Sequence, residues 1–164
     1  MPVNLRPPQP EQLLPVAGVN IGIASAGIKK PGRQDVTVMQ LAAGSRVAGV
    51  FTQNRFCAAP VTVAKRHLQK AAPRALITNT GNANAGTGEA GMQAAKAVCA
   101  ALAGLAGCAE REVLPFSTGV IMEPLPAAKI IAALPAALAD CRVDNWYAAA
   151  HAIMTTDIVA KAQS

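Results

Sequence analysis

Residues 74–107 read RALITNTGNANAGTGEAGMQAAKAVCAALAGLAG, and this stretch decides the fold class. Its opening, Arg74 to Asn79, carries the β-branched and apolar content of a short strand. Its end repeats differently. Met92, Ala95, Cys99, Leu102 and Ala106 recur at intervals of three and four, so they share one helix face, with Glu89 favourable in the first turn and Gly107 a natural left-handed stop. Between them lie three glycines and three asparagines within Asn79 to Gly88. Such a loop can turn sharply and present N–H groups beside a helix N-terminus, where an anion or carbonyl oxygen binds. Asn and Gly are also ordinary turn formers, and the segment matches neither the P-loop nor the GxGxxG pattern.

Outward from this unit, extended runs are expected at Val16 to Ile23, Asp35 to Leu41, Arg46 to Thr52, Pro60 to Ala64 and Val113 to Phe116. Gly44 and Ser45 suggest a hairpin between the second and third of these. A turn is expected at Ser117 to Gly119. A helix should follow from Pro124 and Pro126 to about Ala133, where Pro135 interrupts it, and a last helix over Trp146 to Ile153 should be capped by Asp144. Strands in antiparallel or mixed pairing, covered by helices, make a layered α/β (α+β) architecture. No internal repeat or linker divides residues 1–164, which read as a single domain.

The chain of 164 residues is 52% hydrophobic, much of it alanine, with only five aromatic residues, a composition that excludes disorder, collagen-like repeats and coiled coil. Its longest small or apolar run, Ala97 to Ala109, falls short of the roughly 20 residues that span a bilayer. The prolines in MPVNLRPPQPEQLLPVAG interrupt any signal-peptide core, so a cytoplasmic location is expected. Cys57, Cys99, Cys108 and Cys141 form no CxxC pair, and His67 and His151 lie far apart, so neither a metal site nor a disulfide framework is expected, and no cofactor motif is present. Residues 1–74 carry ten basic and two acidic residues, whereas residues 75–164 carry five and seven. The basic residues of the first half are dispersed and lack an aromatic stacking platform, which favours a solvated face over a nucleic-acid partner.

Two further segments bear chemistry. In Pro115-Phe116-Ser117-Thr118-Gly119-Val120-Ile121, a hydroxyl followed by glycine at the end of a buried strand suits an oxyanion site. Ser117 or Thr118 as nucleophile is the alternative, but no Ser-His-Asp spacing accompanies them. In Ile153-Met154-Thr155-Thr156-Asp157, two hydroxyls and a carboxylate either contact an amino-acid substrate or satisfy a helix end.

Taken together, PVAGVNIG, AGIKKPGRQD, VAGVFTQNRFCAAPV, NTGNANAGTG, LPFSTGVIMEPLP and DNWYAAAHAIMTTD resemble the N-terminal portion of the bifunctional ornithine acetyltransferase (glutamate N-acetyltransferase) family of the arginine pathway, from about Pro15 to Lys161. The resemblance implies a layered sheet-and-helix sandwich and a two-chain acyltransferase. A precursor cuts itself before a threonine, which then carries acetyl from N-acetylornithine to glutamate; some members accept acetyl-CoA. It implies an α2β2 heterotetramer with the C-terminal β-chain, an oxyanion hole at Thr118 and Gly119, and a substrate contact within Thr155-Thr156. The sequence stops at Ser164, before the family's substrate lysine, cleavage motif and nucleophilic threonine, so this chain alone, read as an incomplete α-chain, is expected to be inactive. Ile158 and Ala160 replace the Thr and Pro usual after MTTD. Rival readings are a non-catalytic domain using the Asn/Gly loop as an anion nest, and a related self-processing aminopeptidase.

Overall fold

The computed structural model describes residues 6–163; residues 1–5, which begin the proline-rich N-terminal stretch, and Ser164 lie outside the described residues. Four strands, β1 (Val19–Ala24), β2 (Val36–Leu41), β3 (Ala75–Asn82) and β4 (Val113–Val120), form one sheet in the order β1-β2-β3-β4. The first two pairings are antiparallel and the third is parallel, so the sheet is mixed as expected. The parallel step needs a crossover, and α2 (Gly88–Ala106) supplies it.

Alternation along the strands sorts two faces. Val36, Val38, Ala75, Ile77 and Val113 face α2 and α3 (Ala127–Ala139), joined by Val63 of α1 (Ala59–Leu68), in the main core. Leu102, Ile130 and Leu134 are fully enclosed there, each stabilising the fold by about 1.5–3 kcal/mol. The opposite face carries Ile21, Ile23 and Met39, covered by Ala149 and Ala152 of α4 (Trp146–Ala152).

The α2 helix forms as its periodicity requires: Ala95, Cys99 and Leu102 are buried, and Gly107 ends it at φ +65° with its N–H on the Ala103 carbonyl. Several expectations are corrected. Arg46 to Thr52 is irregular, and no hairpin forms at Gly44-Ser45, because β2 already has β1 on one side and β3 on the other. Val50 is fully exposed there. Pro60 to Ala64 lies inside α1 rather than in a strand; Ala59, Pro60, Val63, Ala64 and His67 share a buried helical stripe that outweighs the β preference of Val61-Thr62-Val63. Pro135 does not interrupt α3, which continues to Ala139 because Leu134 and Ala137 are buried around the missing hydrogen bond, and the helix begins only after Pro126. Asp144 does not cap α4. Asn145 holds that position without a capping bond, and Asp144 pairs with Arg142 instead (3.3 Å).

Candidate functional site

Thr118 and Gly119 lie within β4, not in a turn, since the strand continues through Ser117-Thr118-Gly119 to Val120. The parallel register sets Ser117 beside Asn79, Thr118 beside Thr80, and Gly119 beside Gly81. This last pairing explains Gly119, whereas a Cβ on Gly81 would meet the Lys29 and Ile28 side chains. Gly119 has φ +136° and Gly81 φ +111°, and a Cβ on Gly119 would stand 2.3 Å from the Gly81 carbonyl carbon. Only a residue without a side chain permits that approach.

The asparagines of the loop hold this end of the sheet. Ser117 Oγ donates to Asn79 Oδ1 at 2.6 Å, and Asn79 Nδ2 donates to the Asn82 carbonyl at 2.8 Å. Asn82 Nδ2 donates to the carbonyls of Glu123 (3.2 Å) and Pro124 (3.1 Å), while its Oδ1 accepts the Asn84 N–H at 2.8 Å. Asn84, at φ +48°, reaches the Gly91 carbonyl in α2 (2.9 Å) and accepts from the Thr87 hydroxyl (2.8 Å). All three asparagines are buried, and their amides are satisfied within the chain. The side-chain amides of the loop are therefore used in holding the chain together. The sequence signal for it was the cluster of amides; their burial had none.

Thr118 differs. Its half-buried hydroxyl has no hydrogen-bond partner among the described residues, and Gly119 beside it is exposed. Neither histidine is near. His67 Nδ1 is bonded to the carbonyl of Val113 at the other end of β4 (2.8 Å), and His151 packs on Tyr147 in α4. Next to Ser117, an apolar cavity of about 240 Å³ lies between β4, α1 and the irregular segment, lined by Phe51, Pro60, Ala64, Pro115 and Phe116.

Thr155 and Thr156 follow α4. The Asp157 carboxylate accepts the Thr155 N–H (3.5 Å) and pairs with Lys161, and this pairing holds its pKa below the usual carboxylate value, with the Thr155 bond adding to it. Arg33, in the β1–β2 connection, donates to the Met154 carbonyl. That connection leaves β1 at the sheet end where Asn82 and Gly119 lie, because β1 and β4 run in the same direction. The structure thus brings Thr118 and Thr155-Thr156 to one end of the sheet, and α4 covers the face to which Thr118 belongs. Among the described residues no hydrogen bond joins Thr118 to either of them.

Among the described residues no helix is long and apolar enough to cross a membrane, and no cluster of three or more His, Cys, Asp or Glu is placed to hold a metal ion.

A model of the ArgJ family matches residues 20–164. The chain belongs to the ArgJ family. Its fold is similar to that of ornithine acetyltransferase from Mycobacterium tuberculosis, solved in complex with ornithine, at 38% identity and a TM-score of 0.79, over 88% of this chain and 79% of that one. It is also similar to the arginine biosynthesis bifunctional protein argJ from Bacillus halodurans, at 30% identity and a TM-score of 0.72, over 87% and 75% of the two chains. The layered ArgJ sheet and helices expected from the motifs are thus the observed architecture.

Proposed function

We propose that this chain is the oxyanion-stabilising part of a glutamate N-acetyltransferase of arginine biosynthesis, which moves acetyl from N-acetylornithine to glutamate. The observation that carries this reading is the unpartnered Thr118 hydroxyl beside Gly119 on a border strand. Along such a strand alternate N–H groups face away from the sheet. The Val120 carbonyl faces β3, where it accepts the Ala83 N–H (2.8 Å), and Gly119 before it is exposed beside the hydroxyl. A free hydroxyl and a neighbouring glycine N–H are donor types that suit the charge that develops on the carbonyl oxygen during acyl transfer. A hydroxyl without a base nearby suits donation better than attack, which assigns the nucleophile to a partner chain, the self-processed C-terminal portion of the precursor, in a heterotetramer. The similarity to a protein solved with ornithine supports an ornithine-like acetyl donor, with Thr155 or Thr156 contacting its amino-acid end.

In the enzyme assembled with its partner chain, Thr118→Ala should lower kcat by roughly 10²- to 10³-fold while KM changes less. Mass spectrometry of the trapped acetyl-enzyme should find acetyl on the partner chain. Acetyl on Ser117 or Thr118 would overturn the assignment.

A further inference from the structure

At the end of β4 opposite Gly119, a cleft of about 570 Å³ opens between α1, α2 and the turn that precedes Val113. Arg66 and Lys70 line it from α1 and the residues after it, Lys96 from α2, and Arg111 from the turn. None of these four cations has an ion-pair or hydrogen-bond partner among the described residues. The only carboxylate in the lining is Glu110, which lies 3.9 Å from His67 Nε2. His67 is buried, and its Nδ1 is tied to the Val113 carbonyl, so Nε2 is the ring nitrogen left to face the cleft.

We propose that this cleft binds a small anion carrying two or more phosphate groups. Four fixed positive charges against one carboxylate leave a surplus of three. One phosphate monoester carries roughly −1.5 to −2 charge, so a single phosphate leaves that surplus unmatched and a pair matches it. The volume lies within the range of about 300–1,000 Å³ that small-ligand clefts occupy. Val63 is the only apolar residue in the lining, and no Phe, Tyr or Trp is there to stack a base, so recognition rests on the phosphates rather than on an attached ring. Gathering unpaired like charges in one concavity raises the free energy of the unliganded protein, and a polyanion relieves it. Glu110 opposes the ligand and weakens its binding, as a gate on affinity would.

The test is calorimetric titration of the purified full chain, with any partner chain that accompanies it, against inorganic tripolyphosphate at about 0.15 M salt, where diffuse surface attraction is screened. One saturable site per chain is expected. Joint Arg66→Ala and Lys96→Ala substitution should weaken it roughly 10- to 100-fold, and Glu110→Gln should strengthen it about 3- to 10-fold. Lys129→Ala should change nothing, since Lys129 donates to the Gly27 carbonyl beyond the end of β1, at the other end of the sheet. Matching melting curves would establish that the variants remain folded. The proposal falls if no saturable site appears, if Lys129→Ala weakens binding as much as the cleft pair, or if Glu110→Gln weakens it. It falls equally if sulfate competes as well as tripolyphosphate, which would define a single-anion site, or if a single-stranded oligonucleotide binds more tightly, which would define a nucleic-acid surface.

Discussion

The two borders of the sheet are built in opposite ways. Along β1 the free edge is closed by the segment after α3: Ile21 exchanges backbone hydrogen bonds with Arg142 (2.9 and 3.0 Å), the Ile23 N–H donates to Asp140 Oδ2 (3.0 Å), and Asn145 Nδ2 donates to the Ile21 carbonyl (3.0 Å). Along β4 the His67 imidazole takes the Val113 carbonyl at one end (2.8 Å), no described strand pairs with the edge, and Phe116, Val120, Ile121 and Met122 are exposed on it and just after it. Exposed edges invite pairing, and proteins ordinarily blunt them as β1 is blunted. An edge left without a partner strand, next to an unpartnered hydroxyl and a glycine, is where the proposed chemistry and partner chain would meet.

The largest effect should come from filling the contact that shapes the open edge. Gly119→Ala drives a Cβ into the Gly81 backbone and forces a side chain onto φ +136°. Together these should cost about 3–5 kcal/mol, seen as loss of soluble protein or a sharp drop in Tm. A stable variant would mean that β4 can slide away from β3, and the rigid-edge picture would fail.

Next in size is Asn145→Ala at the closed edge. The side chain is buried and joins Ile21, the Asp140 carboxylate (2.7 Å) and the Arg142 guanidinium (2.7 Å). Its removal leaves the Ile21 carbonyl and Asp140 short of donors, for about 2–4 kcal/mol in denaturant unfolding. A loss under 0.5 kcal/mol would show that the backbone bridge alone closes β1.

The thiols distinguish the two sides kinetically. Cys57 is exposed just before α1, which packs on β4. Cys141, beside Gly22 of β1, is half-buried with its pKa raised, chiefly by burial and further by Asp140. Burial, with a contribution from Glu110, pushes the core thiol Cys99 up to about 12. Alkylation near pH 8 followed by peptide mapping should label Cys57 first and Cys99 only on unfolding, because the thiolate is the reacting form. The same shift sets an alkaline limit. A Cys99 pKa raised on folding leaves stability intact below the ordinary thiol value of 9 and erodes it as pH rises from there toward 12. A Tm independent of pH between 8 and 11 would contradict that burial.

These contrasts also mark what the sequence could disclose. The α2 helix was legible because its apolar period and Gly107 are local signals, and Ser117-Thr118-Gly119 stood out as two hydroxyls followed by a glycine. Its placement inside a strand was not legible, since polar residues and a glycine at positive φ read locally as a turn. Val61-Thr62-Val63 suggested a strand because its helical stripe becomes visible only when Ala59 and His67 are known to be buried with it. Arg46 to Thr52 had strand-like residues but no place beside β2, whose two sides are taken by β1 and β3, a fact of sheet order. The closing of β1 joins residues 117 and 124 positions apart, and no local pattern announces it.

The smallest effect expected is the most telling for the open edge. The Thr118 hydroxyl makes no hydrogen bond among the described residues and is half-buried, so Thr118→Ala removes no folded-state partner and strands no buried donor. Its unfolding free energy should stay within about 0.5 kcal/mol of the parent. Ser117→Ala, which leaves Asn79 Oδ1 without its 2.6 Å donor, should cost roughly 1 kcal/mol more than that. Measured beside the kcat of the assembled enzyme, the pair separates two kinds of residue: Ser117 holds the strand end, and Thr118 is held ready by it. A Thr118→Ala variant destabilised as much as Ser117→Ala would make the hydroxyl a structural bond of the folded chain, and the argument from its lack of a partner would be lost.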